Sequence, residues 1–193
     1  MKNLIYFTAL TITLLSCSND KSNMTTVDED GKIILSPQAK EVLNELSDDY
    51  YECRKSATKK SDCRSFTSEA ICRFYNIEDF QEKSAYIDYR DIKDVIVQFS
   101  EWELLGPASD QDVLDKAQKN ANNHIATVAW DSSKDYGHIA IILPGQQKKS
   151  GKWGLMCPNS ASFFRHKAEC YFDKPLSYSF TSPKNIMLYA KKS

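Results

Sequence analysis

No stretch of the 193 residues is long and apolar enough to cross a bilayer as a helix. The longest apolar run, Leu4 to Leu15, has about a dozen residues against the roughly 20 that a spanning helix needs. An excess of one charge is missing too: 25 basic residues stand against 26 acidic ones. That balance argues against attraction to phosphate backbones, so no nucleic-acid partner is expected. No His/Cys/Asp cluster has zinc-ligand spacing, so neither a metal nor a cofactor is expected. Internal repeats are absent, and the one low-complexity tract is a short polar stretch after residue 17.

What is present begins at the N-terminus. Residues 1 to 17 read MKNLIYFTALTITLLSC, with one positive charge at Lys2, the apolar run, and a cysteine directly after Ser16. That order marks a secretory signal, to be set aside from the fold. Leu14-Leu15-Ser16-Cys17 resembles a bacterial lipobox, which implies cleavage before Cys17 and lipid on its thiol. Several buried acyl chains hold a protein on a membrane far better than one. The expected location is therefore outside the cytoplasm, anchored by lipid on the periplasmic side or the cell surface. Removing residues 1 to 16 takes away only Lys2, leaving 24 basic against 26 acidic residues. The next segment, SNDKSNMTTVDEDGK, is polar and acidic without an apolar period and reads as a flexible tether over 17–32. Residues 33–193 are then enough for one domain with a real core, and a monomer is expected.

Along that body, Ser36-Pro37 followed by QAKEVLNELSDDYYE predicts a first helix, with Ser36 as cap and Val42, Leu43 and Leu46 on one face. The spacing of Cys63, Phe66, Ala70, Phe74 and Ile77 predicts a second helix with Cys63 in its first turn. DIKDVIVQFSEWELLG reads as a third ending at Gly106, and SDQDVLDKAQKNANN as a fourth, starting from the cap candidates Ser109 and Asp110. From residue 124 the character changes. HIATVAW, HIAIIL, WGLMC and NIMLYAK are short β-branched or aromatic runs separated by turn-rich stretches. Helices first and antiparallel strands afterwards is the α+β pattern.

A cysteine at a helix N-terminus is favoured as the thiolate, the form that attacks carbonyls, which makes Cys63 the candidate nucleophile. His138, between Gly137 and the strand IAIIL, is the candidate base. Asn159, after GLMCP, is the natural candidate to orient its ring, with Ser160 and Ser162 close by in sequence. Three blocks carry a family resemblance: DCRSFTSEAICRFYNI, AQKNANNHIATVAWDSSKDYGHIAIILPG and SGKWGLMCPNSASFF. They resemble the cysteine, histidine-dependent amidohydrolase/peptidase (CHAP) family and its papain-like, NlpC-type relatives that hydrolyse peptidoglycan, over about residues 60 to 190. The resemblance implies a papain-like fold with helices packed on a small antiparallel sheet, and cleavage of an amide in cell-wall peptide by Cys63, His138 and a polar third residue. The bond would be the sugar-to-peptide link or one between amino acids. In that mechanism the Cys63 thiolate attacks the carbonyl, His138 protonates the leaving amine and later activates water, and the Cys63 N–H helps hold the oxyanion. Asp62, Trp153 and Phe163 are candidate substrate contacts beside it. The partners implied are peptidoglycan peptide stems and the membrane, with an inhibitor or immunity protein as a further candidate.

Of six cysteines, lipidated Cys17 and nucleophilic Cys63 leave Cys53, Cys72, Cys157 and Cys170, an even number for an oxidising compartment. The expectation is a Cys53–Cys72 and a Cys157–Cys170 disulfide, with the free state of Cys63 the firmer part and connectivity left open. His124 and His166 are read as structural or surface residues, with His166 the fallback base. Many relatives carry Asp-Cys-Ser-Gly-Phe where this chain has Arg64 and Ser65 after its cysteine. That departure motivates the alternative function, a non-catalytic lipoprotein that binds muropeptides or a partner protein on the same scaffold.

Overall fold

A computed structural model describes residues 24–56, 63–133, 137–164 and 168–192. The chain enters through a small hairpin, β1 (Thr25–Val27) against β2 (Ile33–Leu35). Residues 24–32, read from composition as tether, therefore belong to the folded body: Met24 packs on the core and its carbonyl accepts from the Ser36 N–H.

Helix α1 (Pro37–Ser56) starts where the sequence places it, with proline in the first turn and the Ser36 hydroxyl accepting from the Ala39 N–H at 3.0 Å. Ala39, Leu43, Leu46 and Tyr50 form its buried stripe at three-to-four residue spacing. Helix α2 (Phe66–Tyr75) buries Phe66, Ala70, Ile71 and Phe74 and ends at Asn76, whose φ of 52° is the left-handed conformation that closes many helices. Arg73 of α2 reaches Asp49 at 2.7 Å and Glu45 at 3.3 Å on α1. The C-terminal half of α2 thus lies beside the middle of α1, and the start of α2 beside its end.

A second hairpin, β3 (Gln81–Glu82) with β4 (Ala85–Tyr86), precedes α3 (Ile92–Gln98). The predicted third helix stops there rather than at Gly106, because Trp102–Pro107 forms strand β5 and pairs with the last strand of the chain. Helix α4 (Gln111–Asn122) is capped by the Asp110 carboxylate, which accepts from the Asp112 N–H at 2.9 Å. Strands β6 (Thr127–Asp131) and β7 (Ile139–Ile142) follow, then a short hairpin, β8 (Lys148–Lys149) with β9 (Met156–Cys157). Strands β10 (Asn159–Phe163) and β11 (Cys170–Pro175), a 3-10 turn over Leu176–Tyr178, and β12 (Ile186–Lys191) complete the chain.

The main sheet has six strands in the order β11-β10-β7-β6-β12-β5, each antiparallel to its neighbour, which makes the architecture α+β. Alternation along the strands builds two cores. Val128, Ile139, Ile141, Ala161 and Phe163 face α1, α2 and α3, and Ala129, Ala140, Ile142, Ile186 and Leu188 face α4. Among the described residues no helix is long and apolar enough to cross a membrane.

Candidate functional site

Cys63 lies in the turn that precedes α2, one turn short of the helix, and it is not a free thiol. Its sulfur is bonded to Cys53 in the last turns of α1, with the two Cα atoms 6.0 Å apart. The expectation of a free nucleophile is corrected by this bond, and so is the pairing of the other cysteines. Cys72 is a free, buried cysteine nine residues beyond Cys63 in the sequence, and the Cys53 sulfur is already taken by Cys63. Burial pushes the Cys72 thiol up to about 11. Cys157 and Cys170 do not pair either. Cys157 is buried in the core under α4, whereas Cys170 packs against the core under α1 and α2, so the sheet separates them.

His138 directly precedes β7, beside the strand that its sequence context predicts, but on the other side of the sheet from α2. In the β7–β10 register Ile142 faces Ser160 and Ile141 faces Ala161. Continued by one pair at a time, this register brings Ile139 opposite Phe163 on the α2 side, and His138 opposite Phe164 on the α4 side. The contacts agree. The Phe163 ring lies 5.2 Å from Phe66 of α2, while the His138 ring stacks on Phe164 at 4.7 Å and meets Phe180 edge-on at 5.5 Å. Cys63 and His138 are therefore not a nucleophile–base pair in this conformation.

Asn159 does not orient the imidazole. Its amide nitrogen donates to the Pro144 carbonyl at 2.8 Å, its carbonyl oxygen accepts from the Ser160 N–H, and its own N–H donates to Gln118 of α4 at 2.7 Å. These bonds fasten the turn after β7, where Gly145 (φ 141°) brings its backbone so close that a Cβ there would meet the Asn159 amide nitrogen at 2.9 Å. The residue that holds His138 is Ser162, whose hydroxyl is 2.5 Å from Nε2. Ser162 lies opposite Tyr171 of β11, whose phenol is hydrogen-bonded to Ser179. A bulge in β11 beside Ser162, with Asp173 at φ 57°, sets this register. No local pattern in the sequence announces that bulge.

The proposed substrate contacts also separate. Phe163 is a core residue, its ring 5.6 Å from Tyr50, and Trp153 packs on the opposite core. Asp62, Cys17 and His166 lie outside the described residues. His124 sits beyond the end of α4 with φ 61°, and burial holds its imidazole below the usual histidine range. Gly137 has a packing reason: a Cβ there would fall 1.6 Å from the Asp131 carbonyl oxygen. Arg64 is a packing residue as well. Its carbonyl accepts from the Tyr89 N–H at 2.9 Å and its guanidinium stands 3.8 Å from Asp88, which also binds Arg90 through two nitrogens at 2.9 and 2.7 Å. Burial raises the Asp88 carboxyl, but the Arg90 and Arg64 guanidinium groups outweigh it and hold the group below the usual range.

The described residues contain no cluster of three or more His, Cys, Asp or Glu able to hold a metal ion. The chain matches no known family model, curated protein or solved structure. Its functional reading therefore rests on its own residues.

Proposed function

We propose that this chain is an exported, lipid-anchored protein whose oxidised form binds peptidoglycan peptide stems on a papain-like scaffold without cutting them. The observation that carries the non-catalytic part is the Cys53–Cys63 bond, reinforced by the position of His138 on the far face of the sheet. The cell-wall ligand and the papain-like scaffold are supported by the sequence blocks around Cys63, His138 and Asn159. The anchor is supported by Leu14-Leu15-Ser16-Cys17. A cysteine amidase or endopeptidase working through Cys63 needs that bond opened and an imidazole brought to the α2 side.

The test incubates the mature chain in detergent with purified peptidoglycan, with and without a thiol reductant, beside Cys63→Ala. Co-sedimentation by both proteins with no released fragments is the expected result. Fragments released by the wild type alone, under reductant, would replace the binder with a hydrolase, and mass spectrometry would name the bond. Neither sedimentation nor cleavage would remove the cell wall as the ligand. Metabolic labelling with a fatty-acid analogue, lost in Cys17→Ser, tests the anchor.

A further inference from the structure

We propose that Cys170 exchanges with the Cys53–Cys63 disulfide, taking Cys53 as its new partner and releasing the Cys63 thiol in front of α2. Three cysteines lie on segments that pack at one corner of the molecule. Helix α1 packs directly on β11, the strand that Cys170 opens. Cys170 lies opposite Phe163 in the β10–β11 pairing. The Phe163 ring touches Tyr50, three residues before Cys53, and Phe66, three residues after Cys63. Cys170 is near enough to the Tyr51 phenol, on the same turn of α1 as Tyr50, to raise that group's pKa. Cys53, Cys63 and Cys170 are each only partly buried, whereas Cys72 and Cys157 are sealed in the core.

The step is a thiol–disulfide exchange. Cys170 loses its proton, and its sulfur attacks Sγ of Cys53. The Cys53–Cys170 bond forms as the Cys53–Cys63 bond breaks, and the electron pair leaves on Cys63, which takes up a proton. One disulfide and one thiol are present before and after, so no oxidant or reductant enters. The outcome moves the staple from α1–α2 to α1–β11. It does so whether Cys63 then cuts a bond, joins another protein or only waits, so failure of the peptidoglycan reading leaves it standing.

The experiment holds the mature full-length chain, without reductant, at a series of pH values between neutral and mildly alkaline. An acid quench follows, free thiols are alkylated in denaturant, and disulfide-linked peptides are mapped by mass spectrometry. The expected result is a Cys53–Cys170 linked pair, with Cys63 alkylated, that grows with pH beside the Cys53–Cys63 pair and is lost in Cys170→Ser. A second variant, Cys63→Ser, leaves Cys53 and Cys170 as thiols. Mild oxidation is expected to join them, which tests their proximity without the exchange. Persistence of Cys53–Cys63 alone at every pH overturns the proposal. So does a Cys63–Cys170 pair, or failure of Cys53 and Cys170 to join in the variant.

Discussion

Cysteines 72, 157 and 170 carry the same side chain and differ in where the chain puts them. Cys72 and Cys157 are buried, and burial raises both thiols, Cys72 to about 11, whereas Cys170 is partly open on β11. Brief treatment of the native protein with iodoacetamide at pH 7 is expected to label Cys170 and to spare Cys72 and Cys157 until the chain unfolds, as peptide mapping would show. Asp88 offers a second test at this scale. Its carboxyl is held low in the fold by Arg90 and Arg64, so it binds a proton less readily folded than unfolded. The stabilisation is present above the ordinary carboxylate pKa of about 3.9 and is lost as pH falls through the lower folded value. Urea midpoints should show Asp88→Asn less stable than wild type at pH 7, with the gap closing as the solution is acidified below roughly pH 4. A gap that stays constant into acid would mean that the ion pairs do not set it.

At the scale of elements, α1 and α2 form one stapled unit on the sheet, and Phe74 is among the largest side chains it buries, at 2% exposure. Phe74→Ala is expected to cost about 3–5 kcal/mol in denaturant unfolding, because the cavity opens inside a close-packed layer. The helix starts at Ser36-Pro37 and Asp110 were legible in the sequence because a cap is local: one side chain meets an N–H two or three residues on. Strand β5 was not legible. Ile92, Val95, Ile96, Phe99 and Leu104 recur at near-helical spacing, yet only the first part of that run is helical. Trp102 to Pro107 gains a ladder of hydrogen bonds from β12, eighty or more residues away. A partner that distant leaves no mark on local periodicity.

Across the whole molecule, the sheet keeps the Cys63 corner and the His138–Ser162 pair on opposite sides, and the Cys53–Cys63 bond ties the helical layer together. Cross-linking a loop of ten residues removes chain entropy mainly from the unfolded state, a contribution of about 2–3 kcal/mol. Equilibrium urea unfolding should show Cys53→Ala less stable than wild type by about that amount without reductant, and equal to it with reductant. A difference that survives reduction would assign the loss to side-chain packing.

An exported N-terminus is an expectation that only the sequence carries. The sequence by itself determined α1, α4, the strands β6, β7 and β12, and the candidacy of Cys63 and His138, because each is written in adjacent residues: a cap, a period, a Gly-His before an apolar run. Tertiary structure alone decided which cysteines meet, which face His138 takes, and that Ser162 rather than Asn159 holds it. Those outcomes follow from strand register, where a shift of one residue turns a side chain to the other face, and from how α1 lies against α2. Neither distance nor parity between segments far apart in the chain is encoded in the segments taken singly.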